Sequence, residues 1–173
     1  MKRYFTRFYL LITILLLANI AIASTLEGRV VGVTDGDTVT VLDSSNTQFK
    51  IRLMGIDAPE KKQAYGNRSK EALSHLIFNK LVTVNYHKKD KYGRTVGKII
   101  VEGVDANLEQ IKAGMAWHYK KYQKEQSVDD RASYAEAEDA VRAGKIGLWN
   151  DDNPIAPWDW RKLQKLSNDS FRP

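Results

Sequence analysis

Asp37, Arg52, Asp57, Glu60 and Arg94 fall within 58 positions of one another. Three carboxylates and two guanidiniums, each beside a turn signal or a short β-patterned run, are what metal-assisted attack on a phosphodiester needs. Carboxylates hold a hard cation and activate water, while guanidiniums grip a phosphate and stabilise the charge that builds on it. The chemistry this set points to is that of a nuclease.

Each residue also has an ordinary structural reading. Asp35-Gly36 between two alternating apolar runs is hairpin chemistry, which leaves Asp37 unexplained, a carboxylate at the start of a strand where β-propensity disfavours it. Asp57-Ala58-Pro59-Glu60 taken alone is a strand-to-helix turn with two solvated acids, Pro59 stopping the pairing. Neighbouring strands lie about 5 Å apart, so the start of the second strand can approach the end of its antiparallel neighbour. Asp37 and Asp57 could then share one metal. The run Asp90-Lys91-Tyr92-Gly93-Arg94 reads equally as a solvated hairpin loop and as a loop from which Arg94 reaches a phosphate opposite Arg52. In the second case Lys91 and Tyr92 touch the nucleotide.

The elements that must position these residues follow from the periodicity. Arg29–Val33, Thr38–Leu42 and Phe49–Met54 alternate as strands separated by turn residues, which predicts an antiparallel three-strand meander. Phe49, Ile51 and Leu53 share one face of the third strand, which sends Lys50 and Arg52 to the other. Gly66–Asn79 has helical spacing, with Ala72, Leu73, Leu76 and Ile77 on one stripe. Leu81–Tyr86 and Val96–Val101 read as two more strands joined by the polar stretch His87–Arg94. Asn107–Ala113 is a short helix capped by Asp105 and stopped by Gly114, and Ser127 with Asp130 opens a third helix running to Arg142. The expected architecture is α+β, a five-stranded OB barrel with three helices, although other small α+β folds share this string.

The chain has 27 basic and 21 acidic residues among 173. Lys2, Arg3 and Arg7 precede an apolar stretch from Phe8 to Ala23 that ends in Ala21-Ile22-Ala23, a pattern expected of a cleaved export signal over residues 1–23. The stretch is shorter than the roughly 20 residues of a spanning helix and is interrupted by Thr13 and Asn19, which disfavours a retained anchor. Removing the leader leaves 150 residues, with 24 basic against 21 acidic, a formal +3. That mild bias suits a polyanionic partner without arguing for one. The absence of cysteine excludes disulfides and thiolate metal sites and leaves oxygen ligands for any metal. One domain over residues 24–173 is expected, with a core at about 26–150 and a tail at 151–173.

Three blocks, Asp35-Gly36-Asp37-Thr38, Arg52 to Glu60, and Asp90 to Arg94, resemble in order the active-site blocks of the staphylococcal nuclease (thermonuclease) family. The resemblance covers roughly Leu26 to Trp160, including Ile146-Gly147-Leu148-Trp149 and a Pro157-Trp158-Asp159-Trp160-Arg161 tail like that of exported bacterial relatives. It implies an OB-fold nuclease that binds one calcium ion through Asp37, Asp57 and the main-chain oxygen of Ala58. It further implies low sequence preference, with DNA and RNA as substrates and 3′-phosphate products. Glu60 is then the base that activates water, and Arg52 and Arg94 bind the phosphate. Ala58 stands where the best-known member carries threonine, and Gly55 is a milder difference.

His75, His87 and His118 show no metal-ligand spacing. Tyr119 and Tyr122 could stack bases; Trp117 could do so or pack. Trp149, Trp158 and Trp160 are expected to pin the C-terminal segment, stiffened by Pro154 and Pro157. The expected protein is an exported monomer, periplasmic or secreted, with no stable membrane association after cleavage. An exported OB module that binds single-stranded nucleic acid without cutting it is the alternative, and such a module would be free to lose its acids. A structural or protein-interaction domain leaves the acids and arginines unexplained.

Overall fold

A computed structural model of the chain describes residues 24–170. The expected leader lies outside them. Strands β1 (Ser24–Val33), β2 (Thr38–Leu42) and β3 (Gln48–Leu53) form the antiparallel meander, with Val30 against Val41 and Val39 against Ile51. β5 (Leu81–Lys89) pairs with the other edge of β1, and β6 (Thr95–Val101) pairs with β5. β6 also lies parallel to β3, with Val96 opposite Arg52, and this closes a five-stranded barrel. Closure removes the open edges that a sheet of five strands would expose.

Alternation decides what fills the barrel. Val30, Val39, Val41, Ile51, Leu53, Val84 and Ile99 are buried in its core, while Lys50 and Arg52 face outward as the spacing predicts. Helix α1 (Gly66–Ile77) plugs one end with Leu73 and Ile77. Helix α2 (Ala106–Lys112) follows the two-residue β7 (Val104–Asp105), with the Asp105 carboxylate capping the main-chain N–H groups of Asn107 and Leu108. Helix α3 (Val128–Ala143) is capped by Ser127, which accepts from the Asp130 N–H and so makes half of a capping box.

The β5–β6 turn is shorter than the polar stretch suggested, because β5 continues through His87 and Lys88 to Lys89. After a turn at Gly55, whose φ is +77°, Asp57 belongs not to β3 but to a two-residue strand β4 (Ile56–Asp57). β4 pairs with β8 (Trp117–His118), placing Asp57 opposite Trp117. A fourth helix, α4 (Pro157–Ser170), occupies what the sequence suggested was a pinned tail. Pro157 is its first residue, where the fixed φ and missing N–H favour a helix. Among the described residues no helix is long and apolar enough to cross a membrane.

Candidate active site

Asp37 sits on the turn entering β2, and three contacts fix that turn. Its main-chain oxygen accepts from the Leu53 N–H at 2.8 Å, its own N–H donates to Asp35 Oδ1 at 3.1 Å, and Gln110 Nε2 on α2 donates to the Gly36 oxygen at 2.9 Å. Gln110 is itself buried and also donates to Ser69, so α1 and α2 together hold the loop. The Asp37 carboxylate then accepts from Thr38 Oγ1 at 3.0 Å and from the Ala58 N–H at 2.7 Å. Strand spacing allowed the start of β2 to approach the end of β3; the structure brings Asp37 instead to Ala58, just past the short strand β4.

Arg52 projects outward from β3 between two acids. Its Nη1 lies 2.5 Å from Asp37 Oδ2 and its Nη2 2.7 Å from Asp57 Oδ1. Asp57 is 1% exposed and Asp37 5%. Burial works against the charge on Arg52, but Asp37 and Asp57 outweigh it and raise its pKa. Burial pushes the Asp57 carboxyl up, with the Asp37 charge adding to it and guanidiniums opposing. Asp35, half-buried and close to the Asp37 carboxylate, is pushed up to about 6 by desolvation and by that neighbouring charge. Read only as turn chemistry from the sequence, Asp35 thus belongs to the same electrostatic cluster.

Glu60 follows on the loop to α1. Its N–H donates to Gln63 Oε1 at 3.1 Å, and a Cβ on Gly66 would come within 2.0 Å of its main-chain oxygen, so glycine lets the loop fold back onto the helix start. Its carboxylate bonds a residue the sequence reading assigned no role, Arg161 on α4. Arg161 Nη1 donates to Glu60 Oε1 at 2.7 Å and Nη2 to Asp57 Oδ2 at 2.7 Å. The signal in the sequence is the three-residue spacing of Trp158 and Arg161, which puts both on one face of a helix.

Arg94 is not drawn into this cluster. Its Nε bonds Asp90 Oδ2 at 2.7 Å, and its guanidinium lies 5.5 Å from the Tyr92 ring centre. It immediately precedes β6 and stands two residues before Val96, the partner of Arg52, so strand alternation puts it on the Arg52 side of the barrel. Lys91 also lies over Tyr92, which is strongly exposed. Lys88 joins this surface to the segment after β8, through Glu125 and the face of Tyr122.

The aromatics divide. Tyr122 is exposed, whereas Tyr119 is stacked on Trp158, with ring centres 5.3 Å apart and planes 9° from parallel. Trp117 is buried against Trp149 and Trp158. Trp160 is not part of that cluster: two residues along a helix point some 200° apart, so Trp158 and Trp160 cannot share a face. His118 is buried with its Nε2 bonded to Gln126, and burial lowers its pKa.

Among the described residues no group of three or more His, Cys, Asp or Glu side chains stands ready to hold a metal, and guanidiniums pair with the carboxylates of Asp37 and Asp57. The donor set still fits a hard cation. It offers carboxylates and no sulfur, and the acids Asp35, Asp37, Asp57 and Glu60 outnumber Arg52 and Arg161 by two.

Residues 50–151 match the family model described as staphylococcal nuclease homologue. An uncharacterized endonuclease of Haemophilus influenzae is 43% identical over 139 residues, which are 80% of this chain and 75% of that protein. An uncharacterized endonuclease of Escherichia coli O157:H7 is 42% identical over 79% of the chain and 85% of its own length. A micrococcal nuclease of Shigella flexneri is 34% identical over 88% and 90%. With its barrel, its acids and these relatives in agreement, the chain belongs to the staphylococcal nuclease homologue family.

Proposed function

We propose that the reaction of this nuclease is calcium-assisted hydrolysis of phosphodiester bonds in DNA and RNA, with low sequence preference and 3′-phosphate products. The observation that carries this reading is Arg52 bridging Asp37 and Asp57, a guanidinium held between two buried carboxylates on the outer wall of the barrel. Asp37, Asp57 and the main-chain oxygen of Ala58 would hold the ion, which when bound neutralises charge on a phosphoryl oxygen. Arg52 and Arg94 bind the phosphate, and Arg94 exchanges its Asp90 partner for it. Glu60 takes the proton from the attacking water. Lys91, Tyr92, Tyr119 and Tyr122 line the approach, with Tyr92 and Tyr122 exposed and their rings accompanied by lysines that suit a phosphate chain.

Intact acids separate this reading from that of a binding module, which has no use for them. Incubation with plasmid DNA and with RNA, with calcium and with chelator, is the test. Calcium-dependent cleavage of both is expected, and binding without cleavage under every condition would return the protein to the binding class. We also read residues 1–23 as a cleaved export signal and residues 24–173 as one monomeric domain free of the membrane. Amino-terminal sequencing of protein from periplasm and medium, with its mass in solution, checks that part.

A further inference from the structure

The C-terminal helix delivers to the acids an arginine that the reaction above does not use. Arg161 follows Trp158 by three residues, so both lie on one face of α4. Trp158 stacks on Tyr119 and meets Trp117, the residue paired with Asp57, edge-on at 5.5 Å. At the root of the helix Gln63 Nε2 donates to the Ile155 oxygen at 2.6 Å, while Gln63 Oε1 holds the Glu60 N–H. The start of α4 is therefore tied both to the strand facing Asp57 and to the loop carrying Glu60. A chance surface ion pair has no such scaffold.

The two guanidiniums on Asp57 differ in how they can leave. Oδ1 accepts from Arg52 at 2.7 Å and from Arg161 Nη1 at 3.3 Å, and Oδ2 accepts from Arg161 Nη2 at 2.7 Å. The Arg52 side chain is 14% exposed and wedged between two acids, whereas Arg161 is 44% exposed and reaches in from solvent. A cation that takes Asp57 therefore replaces Arg161 rather than Arg52. The displaced fork stays at the mouth of the site beside Glu60, and its planar pair of donors matches a phosphoryl group as well as it matches a carboxylate.

We propose that Arg161 is a third substrate-binding arginine, kept on Asp57 and Glu60 in the free protein and passed to the substrate phosphate when a divalent cation takes Asp57. The exchange rests on the calcium reading above. It is tested by titrating calcium calorimetrically into the protein without nucleic acid, for the unchanged chain, Arg161→Gln and Arg161→Lys, and by kinetics on single-stranded DNA at saturating calcium. Arg161→Gln should bind calcium about tenfold tighter at low salt, because one competing positive charge a few ångströms away is gone. Its kcat/KM should nevertheless fall about 10²-fold. Arg161→Lys keeps the charge but loses the fork; its calcium affinity should stay near that of the unchanged chain while kcat/KM falls about tenfold. The lysine variant decides the matter if the glutamine variant does not fold. Unchanged or weaker calcium binding by Arg161→Gln overturns the exchange alone, as does undiminished kcat/KM in the variants. If neither the unchanged chain nor Arg161→Gln takes up calcium, the calcium reading fails and the exchange with it.

Discussion

Arg52 and Arg94 are offered to the same chemistry from two differently built regions. Around Arg52 the fold supplies every constraint: its strand is closed into the barrel by β2 and β6, and its guanidinium is held between two buried carboxylates. Arg94 is ordered by its own turn, where the Asp90 carboxylate accepts from the N–H groups of Tyr92 and Arg94 and from Arg94 Nε. Charges in the first region interact through a poorly polarisable interior and are costly to disturb; those in the second are screened by water. The wall thus holds the acids in place before substrate arrives, while the rim must trade an internal partner for a phosphate.

That contrast breaks most visibly at the acids. Asp37→Asn and Asp57→Asn should each weaken calcium binding and lower turnover about 10³-fold or more while the chain still folds. Calorimetry and cleavage rates check this, and unchanged calcium titration by either variant removes that acid from the metal site. Next in size is Glu60→Gln, expected to lower turnover about 10²-fold with little change in substrate affinity. Near-full turnover with an unaltered pH–rate profile would dismiss Glu60 as the base.

Matched lysine substitutions sharpen the comparison itself. Arg52→Lys and Arg94→Lys should both lose turnover, but only Arg52→Lys should also lower stability, by about 2–3 kcal/mol, because it unmakes a bridge between buried charges. Equal melting temperatures for the two variants would contradict the division between wall and rim.

The smallest effect belongs to Asp90. Burial alone would raise its pKa, but the Arg94 guanidinium and the N–H groups of Arg94 and Tyr92 outweigh that and hold it below the usual 3.8. A depressed carboxyl contributes stability that is present above 3.8 and lost as pH falls through its lower folded value. Asp90→Asn should therefore be slightly less stable than the unchanged chain at neutral pH, by under about 1 kcal/mol, with the gap closing in acid. A constant gap from pH 7 to pH 2, followed by thermal melts, would show that charge is not what orders the turn.

Much of this site was legible along the chain. Asp37 broke the local preference of a strand start, and Arg52 was placed outside the core by the alternation of Phe49, Ile51 and Leu53, as the structure has it. The separation of Asp57 from β3 was not legible, since a turn at Gly55 and a two-residue strand leave no period to read. Helix α4 was missed for another reason. Two prolines and three tryptophans in the twelve residues 149–160 suggested stiffness and packing, and Pro157 served instead as a helix start.

By itself, then, the sequence determined the five barrel strands, the three main helices and the residue types at the site, because these rest on periods of 2 and 3.6 residues and on short-range turn and cap chemistry. The tertiary structure alone decided that Asp37 meets the Ala58 N–H, that Arg94 lies bound to Asp90 away from the acids, and that Arg161, 104 positions after Asp57, closes over it. Those contacts depend on barrel closure and on where α4 packs. Packing between distant segments is set by the fit of whole surfaces, which leaves no repeating mark in the chain.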